Sequence, residues 1–296
     1  MRVTHTMQHL QFLKNLRNNN TGILDWQNKL ATGRRIHKPG DDPVGVGYYM
    51  RYNSEINRAD VFLENANTAL GFLKTMDQML QQANDVYKRA RTLVQQATTG
   101  TTPEEDLKLI AAEIKQLKEQ LVTIGNSSFS GRYLFNGQKT DQPPYSLTDP
   151  ANDRTDRGVY YLNVSPFVSV PVSISGEDIF GEAGAPDNAF RVFDNILTHL
   201  ENNDRDGLLA DMDRILDLAD RLNEAWAEVG ARTNRFELMK ERIEDQLVSL
   251  KELRSHVGDV DMAEALIELQ QRENVLQASL AVGARIMQVS LVDFLK

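Results

Sequence analysis

None of the 296 positions is a cysteine. Disulfides, zinc–thiolate centres and thiol nucleophiles are excluded together. Aromatic residues are scarce at 7% and mean hydropathy is −0.43. That is thin for a large globular core, but it suits helices that each bury one narrow stripe. No run reaches the ~18 apolar residues of a membrane span, so no membrane insertion is expected. Residues 1–10 lack the apolar centre of a secretory signal, so any export is expected to follow another route. A basic surplus is missing too. The net charge of −9 gives no footprint for nucleic acid. Charge is uneven, however. Residues 1–60 hold nine Lys/Arg against five Asp/Glu, and residues 141–220 hold five Arg and no Lys against sixteen Asp/Glu. A basic end and an acidic middle suit ordered stacking of subunits.

The dominant signal is helical. From Tyr52 the apolar positions run Ile56, Ala59, Leu63, Ala66, Leu70 and Leu73, then every seventh residue through Leu80, Tyr87 and Val94. This is the seam of a coiled-coil-like helix, narrowed where Asp77, Asn84 and Arg91 take alternate places. Thr102, Pro103 and Glu105 predict the start of a second helix, with Thr102 as N-cap and Pro103 in the first turn. Its apolar face is Leu107, Ile110, Ile114, Leu117, Leu121 and Ile124, and Gly125-Asn126 is its stop.

Alternation then replaces the helical period. Val159–Leu162 and the run Val168, Val170, Val172, Ile174 read as strands, the second pushed to a sheet edge by Pro171. Helix resumes with Phe190, Phe193, Leu197 and Leu200. After a turn at 202–207, Leu208, Ile215, Leu222, Val229, Phe236, Ile243, Leu250 and Val257 form an unbroken seventh-residue stripe. The phase breaks at Gly258-Asp259. A last amphipathic segment carries Met262, Leu266, Leu269, Leu276, Leu280, Met287 and Leu291, and the opposite end carries Met7, Leu10, Leu13, Leu24 and Leu30. Helices of this kind are marginal alone. The Met and Leu residues of both ends, from Met7 to Leu30 and from Leu266 to Leu291, are therefore the candidate assembly interface.

Three constellations could carry chemistry, and each has a plainer reading. His5 and His9 stand one helical turn apart, but no third ligand follows at a diagnostic distance. Residues 202–207 resemble the front of a calcium loop, yet its twelfth position is Asp213 and not glutamate; a capped helix–turn–helix fits better. Pro39 to Gly47 is glycine-rich but lacks the Gly-Lys-Ser/Thr ending of a phosphate loop. As a turn it makes sense, with its glycines setting special backbone angles and Asp41 or Asp42 capping the next helix. No catalytic residue, cofactor or metal site is expected.

Two motifs then carry a family resemblance. Leu30-Ala31-Thr32-Gly33-Arg34-Arg35-Ile36 with Pro39-Gly40-Asp41-Asp42-Pro43-Val44-Gly45 is similar to the place in flagellin-like proteins where a terminal helix turns into the core domain. Gly230-Ala231-Arg232-Thr233-Asn234-Arg235-Phe236-Glu237 and Asp259-Val260-Asp261-Met262-Ala263-Glu264-Ala265 resemble the matching C-terminal signature. Met1-Arg2-Val3-Thr4, residues 131–140 and the end Ser290–Leu295 resemble the branch that joins hook to filament.

The expected fold is mainly α, a long antiparallel coiled-coil-like bundle formed by both chain ends with a small β-rich insert. Residues 1–40 plus 260–296 would be the terminal assembly domain, 41–140 plus 186–259 the helical core, and 141–185 the insert. The resemblance implies a structural, non-enzymatic subunit outside the cell at the bacterial hook–filament junction, exported unfolded through the flagellar channel. Its implied partners are neighbouring copies, the hook-side junction protein, flagellin and an export chaperone. A short filament flagellin and a cytosolic coiled-coil adaptor are the alternatives.

Overall fold

The computed structural model describes the backbone of residues 5–99 and 103–294, and their side chains except at 5, 6, 8 and 286–294. Seven helices and two small sheets follow one another in these residues: α1 (His5–Thr32), α2 (Pro43–Thr98), α3 (Glu104–Gly125), β1 (Ser128–Phe129), β2 (Arg132–Tyr133), β3 (Tyr161–Ser165), β4 (Val168–Pro171), α4 (Gly176–Phe180), α5 (Ala189–Glu201), α6 (Arg205–Gly258) and α7 (Met262–Phe294). Two compact units result, Met1–Arg58 with Gln246–Lys296, and Ala59–Asp245. Helices α2 and α6 each begin in one unit and end in the other. No described helix is long and apolar enough to cross a membrane.

The unit of residues 59–245 holds the thick core. The heptad seam of α2 buries Ala66, Leu73, Leu80, Tyr87 and Val94 completely, and that of α6 buries Leu208, Ile215, Leu222, Val229 and Phe236 to 1% exposure or less. Where the α2 seam turns polar, Asp77 accepts a hydrogen bond from the Trp226 indole N–H of α6, so the narrowing marks a polar cross-link between helices. Helix α3 lays Leu107, Ile110, Ile114, Leu121 and Ile124 inward and packs on α5, with Lys118 and Asp194 bridging them at 2.6 Å. Its start differs from expectation: Pro103 occupies the cap position without a side-chain cap, and Thr102 lies outside the described residues. The 202–207 turn is a capped helix–turn–helix, with Asp204 Oδ1 accepting from the Gly207 N–H at 3.1 Å. Inside it, fully buried Asp211 is satisfied by His199 at 2.7 Å and Arg214 at 2.9 Å.

Four aromatic residues in and beside the insert form one cluster. Phe135, Tyr145, Phe180 and Phe190 meet with ring centroids 4.8–5.9 Å apart. Contacts of this kind contribute about 0.5–1.5 kcal/mol each beyond area burial. Two hairpins decorate it. β1 pairs with β2, and β3 pairs with β4, both antiparallel. The first predicted strand begins at Tyr161 rather than Val159, and the second stops at Pro171, which cannot donate to a ladder. Val172 and Ile174 stay buried beyond it. Helix α4 was not legible, because five residues are too few for a period.

Candidate assembly surfaces

The other unit joins the two chain ends. Thr32 ends α1, and Gly33 follows in the left-handed region at φ +69°, its N–H returning to Lys29 O at 2.8 Å. The chain then runs beside the end of α6. Arg35 N–H donates to Gly258 O at 2.7 Å, and Val260 N–H donates to Gly33 O at 3.0 Å. The Arg35 guanidinium reaches Val257 O at 2.7 Å and Asp42 at 3.1 Å. The two distant sequence motifs thus meet in one junction.

Asp41 accepts from the His37 and Lys38 N–H groups at 3.1 and 2.9 Å and closes the turn. Asp42 Oδ1 accepts from Gly45 N–H at 2.8 Å and caps α2, whose first residue is Pro43. Hydrogen bonds from Lys38 and His37 N–H hold the Asp41 carboxyl below its ordinary range. The Gly45 N–H, followed by Arg35, does the same for Asp42. Of the turn's glycines, none has positive φ. Gly45 is there for space, since a Cβ would sit 2.7 Å from the Asp42 carboxyl carbon and 2.9 Å from Ile36. Asp261 caps α7 in the same way, through Ala263 N–H at 2.8 Å.

Helices α1 and α7 pack antiparallel. Phe12 meets Gly283, and Asn19 donates to Arg272 O at 3.0 Å. The seam on α1 is Phe12, Leu16, Asn19, Ile23, Trp26 and Leu30, and that on α7 is Ala265, Leu269, Arg272, Leu276, Ser279 and Gly283; all are half-buried or buried. Both follow the four-three alternation of a heptad. The candidate interface residues divide between this seam and the outer face. Met7, Leu10, Leu13 and Leu24 are 46–63% exposed and lie off the seam, and only Leu30 of the predicted set is on it. On α7, Leu269 and Leu276 are on the seam, whereas Leu266 and Leu280 are 57% and 53% exposed. The side chains of Met287 and Leu291 lie outside the described residues. Glycine, alanine, serine, asparagine and arginine fill seam positions, so a phase taken from Leu and Met alone lands on the outer face. His9 is exposed on α1, and no cluster of metal-ligating side chains occurs among the described residues.

Two family descriptions cover the segments that carry these helices and motifs. Residues 3–140 match the bacterial flagellin N-terminal helical region, and residues 212–295 match the flagellin C-terminal helical region. The chain belongs to the flagellin family. It is 27% identical to the flagellin of Bacillus subtilis over 97% of both chains. It is 22% identical to flagellar hook-associated protein 3 of Escherichia coli over 100% of both. Among solved structures, a Vibrio parahaemolyticus protein described as flagellar hook-associated superposes with TM-score 0.69 at 19% identity, covering 74% of this chain and 100% of that one. The flagellar junction protein FlgL of Legionella pneumophila gives 0.57 at 17% identity, over 72% and 100%. The flagellin-family regions thus cover α1 to α3 with the β1–β2 hairpin, and most of α6 with α7.

Proposed function

We infer that this chain is the structural subunit that joins the flagellar hook to the filament. The observation that carries this is the likeness to hook-associated protein 3 over 100% of this chain and of that one. Under this reading the exposed apolar residues of the terminal pair (Met7, Leu10, Leu13, Leu24, Leu266 and Leu280) are its assembly face. Neighbouring copies, the hook-side junction protein and flagellin are the partners. The subunit works outside the cell, after export unfolded through the flagellar channel with a chaperone on the α7 segment. An amphipathic helix laid in a groove uses apolar anchors at the spacing of Leu280 and Met287.

A second reading, a short filament flagellin, is favoured by the 27% identity to a flagellin along the same length. Deleting the gene separates the two. Loss of a junction subunit leaves hooks without filaments and sheds flagellin monomers into the medium. Loss of the filament protein leaves no flagellin to shed, and normal motility would remove both readings. Within the first reading, Leu280→Glu with Met287→Glu should keep residues 59–245 folded, abolish filament attachment and weaken chaperone binding. Normal filaments on such cells would count against the terminal pair as assembly face.

A further inference from the structure

Just after β2, one dipeptide is fixed by two separate demands. Gly137 stands in the left-handed region at φ +54°, and a Cβ there would run into the backbone oxygens of Asp156 and Gly158, so only glycine fits. Its neighbour Asn136 is 5% exposed, and its side chain is used at both ends. Nδ2 donates to Gln142 O at 3.0 Å, and Oδ1 accepts from Asp156 N–H at 3.0 Å. Its backbone pairs with Ser175 in an isolated antiparallel bridge. Asn136 thus ties together the stretches near 142, 156 and 175. A carboxylate has the same shape but cannot donate, so the site needs an amide.

Together the two demands produce the one Asn-Gly pair in the sequence. Such a pair carries its own reagents. With no Cβ on the glycine, its backbone nitrogen is unhindered toward the asparagine side chain, and the attack is intramolecular. Gly137 N bonds to Asn136 Cγ, the Cγ–Nδ2 bond breaks, and the Gly137 N–H proton leaves with Nδ2 as ammonia. Water then opens the five-membered ring at either carbonyl. The product is aspartate in the normal chain, or isoaspartate with the main chain routed through the former side chain. Ring closure requires Cγ to swing onto Gly137 N. In the folded chain the bonds to Gln142 O and Asp156 N–H hold both ends of the amide against that motion. In an unfolded chain nothing does. Either product then spoils the site. Aspartate sets an oxygen against Gln142 O, acceptor facing acceptor in a buried place. Isoaspartate lengthens the main chain where Gly137 is packed against Asp156 O and Gly158 O.

We propose that Asn136 is a self-modification site that registers time spent unfolded: folding shields it, and an unfolded chain that loses the amide cannot close the insert again. The step consumes water, releases ammonia and needs no enzyme. It holds whether the subunit serves at a junction or in a filament. Under the reading that the subunit is exported unfolded, the site limits how long a chain can wait before it folds.

The full-length chain is kept at physiological temperature and mildly alkaline pH, folded in buffer or unfolded in guanidinium chloride. Conversion of amide to acid at each asparagine is followed by peptide mass spectrometry. At Asn136 it should be at least about tenfold slower in the folded chain, the factor being set by the fraction of time the loop is open. In the unfolded chain Asn136 should convert ahead of Asn53 and Asn126, which are each followed by serine. A half-converted unfolded sample is then diluted to refold, beside a freshly unfolded control, and protease-resistant chains are separated from sensitive ones. Acid at position 136 should be depleted about tenfold from the resistant chains, as a buried acceptor left without its donor requires. An Asn136→Asp chain should melt below the parent and lose amide protection at Gln138 and Asp156. Equal conversion in folded and unfolded chains, equal shares in resistant and sensitive fractions, or an Asn136→Asp chain that melts with the parent would overturn the proposal. These readouts involve no hook or filament, so their failure would leave the gene-deletion outcome standing.

Discussion

The unit of residues 59–245 and the terminal pair α1–α7 are both built on heptads, and they use them differently. In the first, four helices and an aromatic cluster exclude water from Leu73, Tyr87, Phe190, Phe193, Leu222 and Phe236. In the second, two helices meet along one line, where only Ile23, Ala265 and Gly283 are buried among the described side chains. Large apolar residues remain in water on the outer faces, Met7, Leu10 and Leu24 among them. A repeat of seven brings helices together. It takes further helices to close the remaining faces, and among the described residues the outer faces of α1 and α7 keep their apolar side chains exposed. The lesson is that one chain can hold both a thick core and a helix pair whose outer apolar residues stay in water.

The sharpest way to break this comparison is one charge in the α6 seam and one on the outer face of α1. Leu222→Asp places a carboxylate with no partner at a site of 0% exposure and should cost at least about 3 kcal/mol, read as a large fall in melting temperature. Leu24→Asp, on a 60% exposed site of α1, should change monomer stability by less than about 0.5 kcal/mol. Equal shifts for the two would show that the stripe on α6 is no more a core than the outer face of α1. Limited proteolysis of dilute monomer gives the next effect. Residues 1–40 and 260–296 should be trimmed before any cut within 59–245, because local opening costs least where burial is thinnest. A terminal pair as resistant as the core would erase the distinction.

A smaller effect concerns the clamp between the motifs. Arg35→Ala removes the bonds to Val257 O and Asp42 and should cost about 1 kcal/mol locally, seen as faster amide exchange at residues 33–46 with the core unchanged. Smallest is the response to acid. The Asp41 and Asp42 carboxyls titrate below the ordinary 3.8 in the folded chain. Their stabilisation is therefore complete above that value and lost as pH falls through the lower folded values. The Gly45 and Lys38 amides should lose exchange protection first in a titration below about pH 4. Protection that persists unchanged to lower pH would show that the carboxylates do not hold the turn.

Much of this molecule is legible in its sequence. The α2 and α6 stripes, the stop at Gly258, the capping of α2 by Asp42 and the capped turn at 202–207 all follow from local rules. Period, cap and turn chemistry act within a few residues, and no distant contact overrides them here. The two segments near Arg35 and Asp259 were legible as motifs. That they clasp each other was not, because a hydrogen bond from Arg35 N–H to Gly258 O joins positions far apart in the chain. Which residues form the seam of α1 and α7 was not legible for a related reason. Burial is decided by which face meets the partner, and close approach of two backbones selects Gly283 and Ala265 over leucine. The sequence by itself thus determined where helices start, stop and repeat, since those depend on near neighbours. Only the tertiary structure decided which apolar stripe is seam and which is surface, since exposure depends on everything the chain brings near.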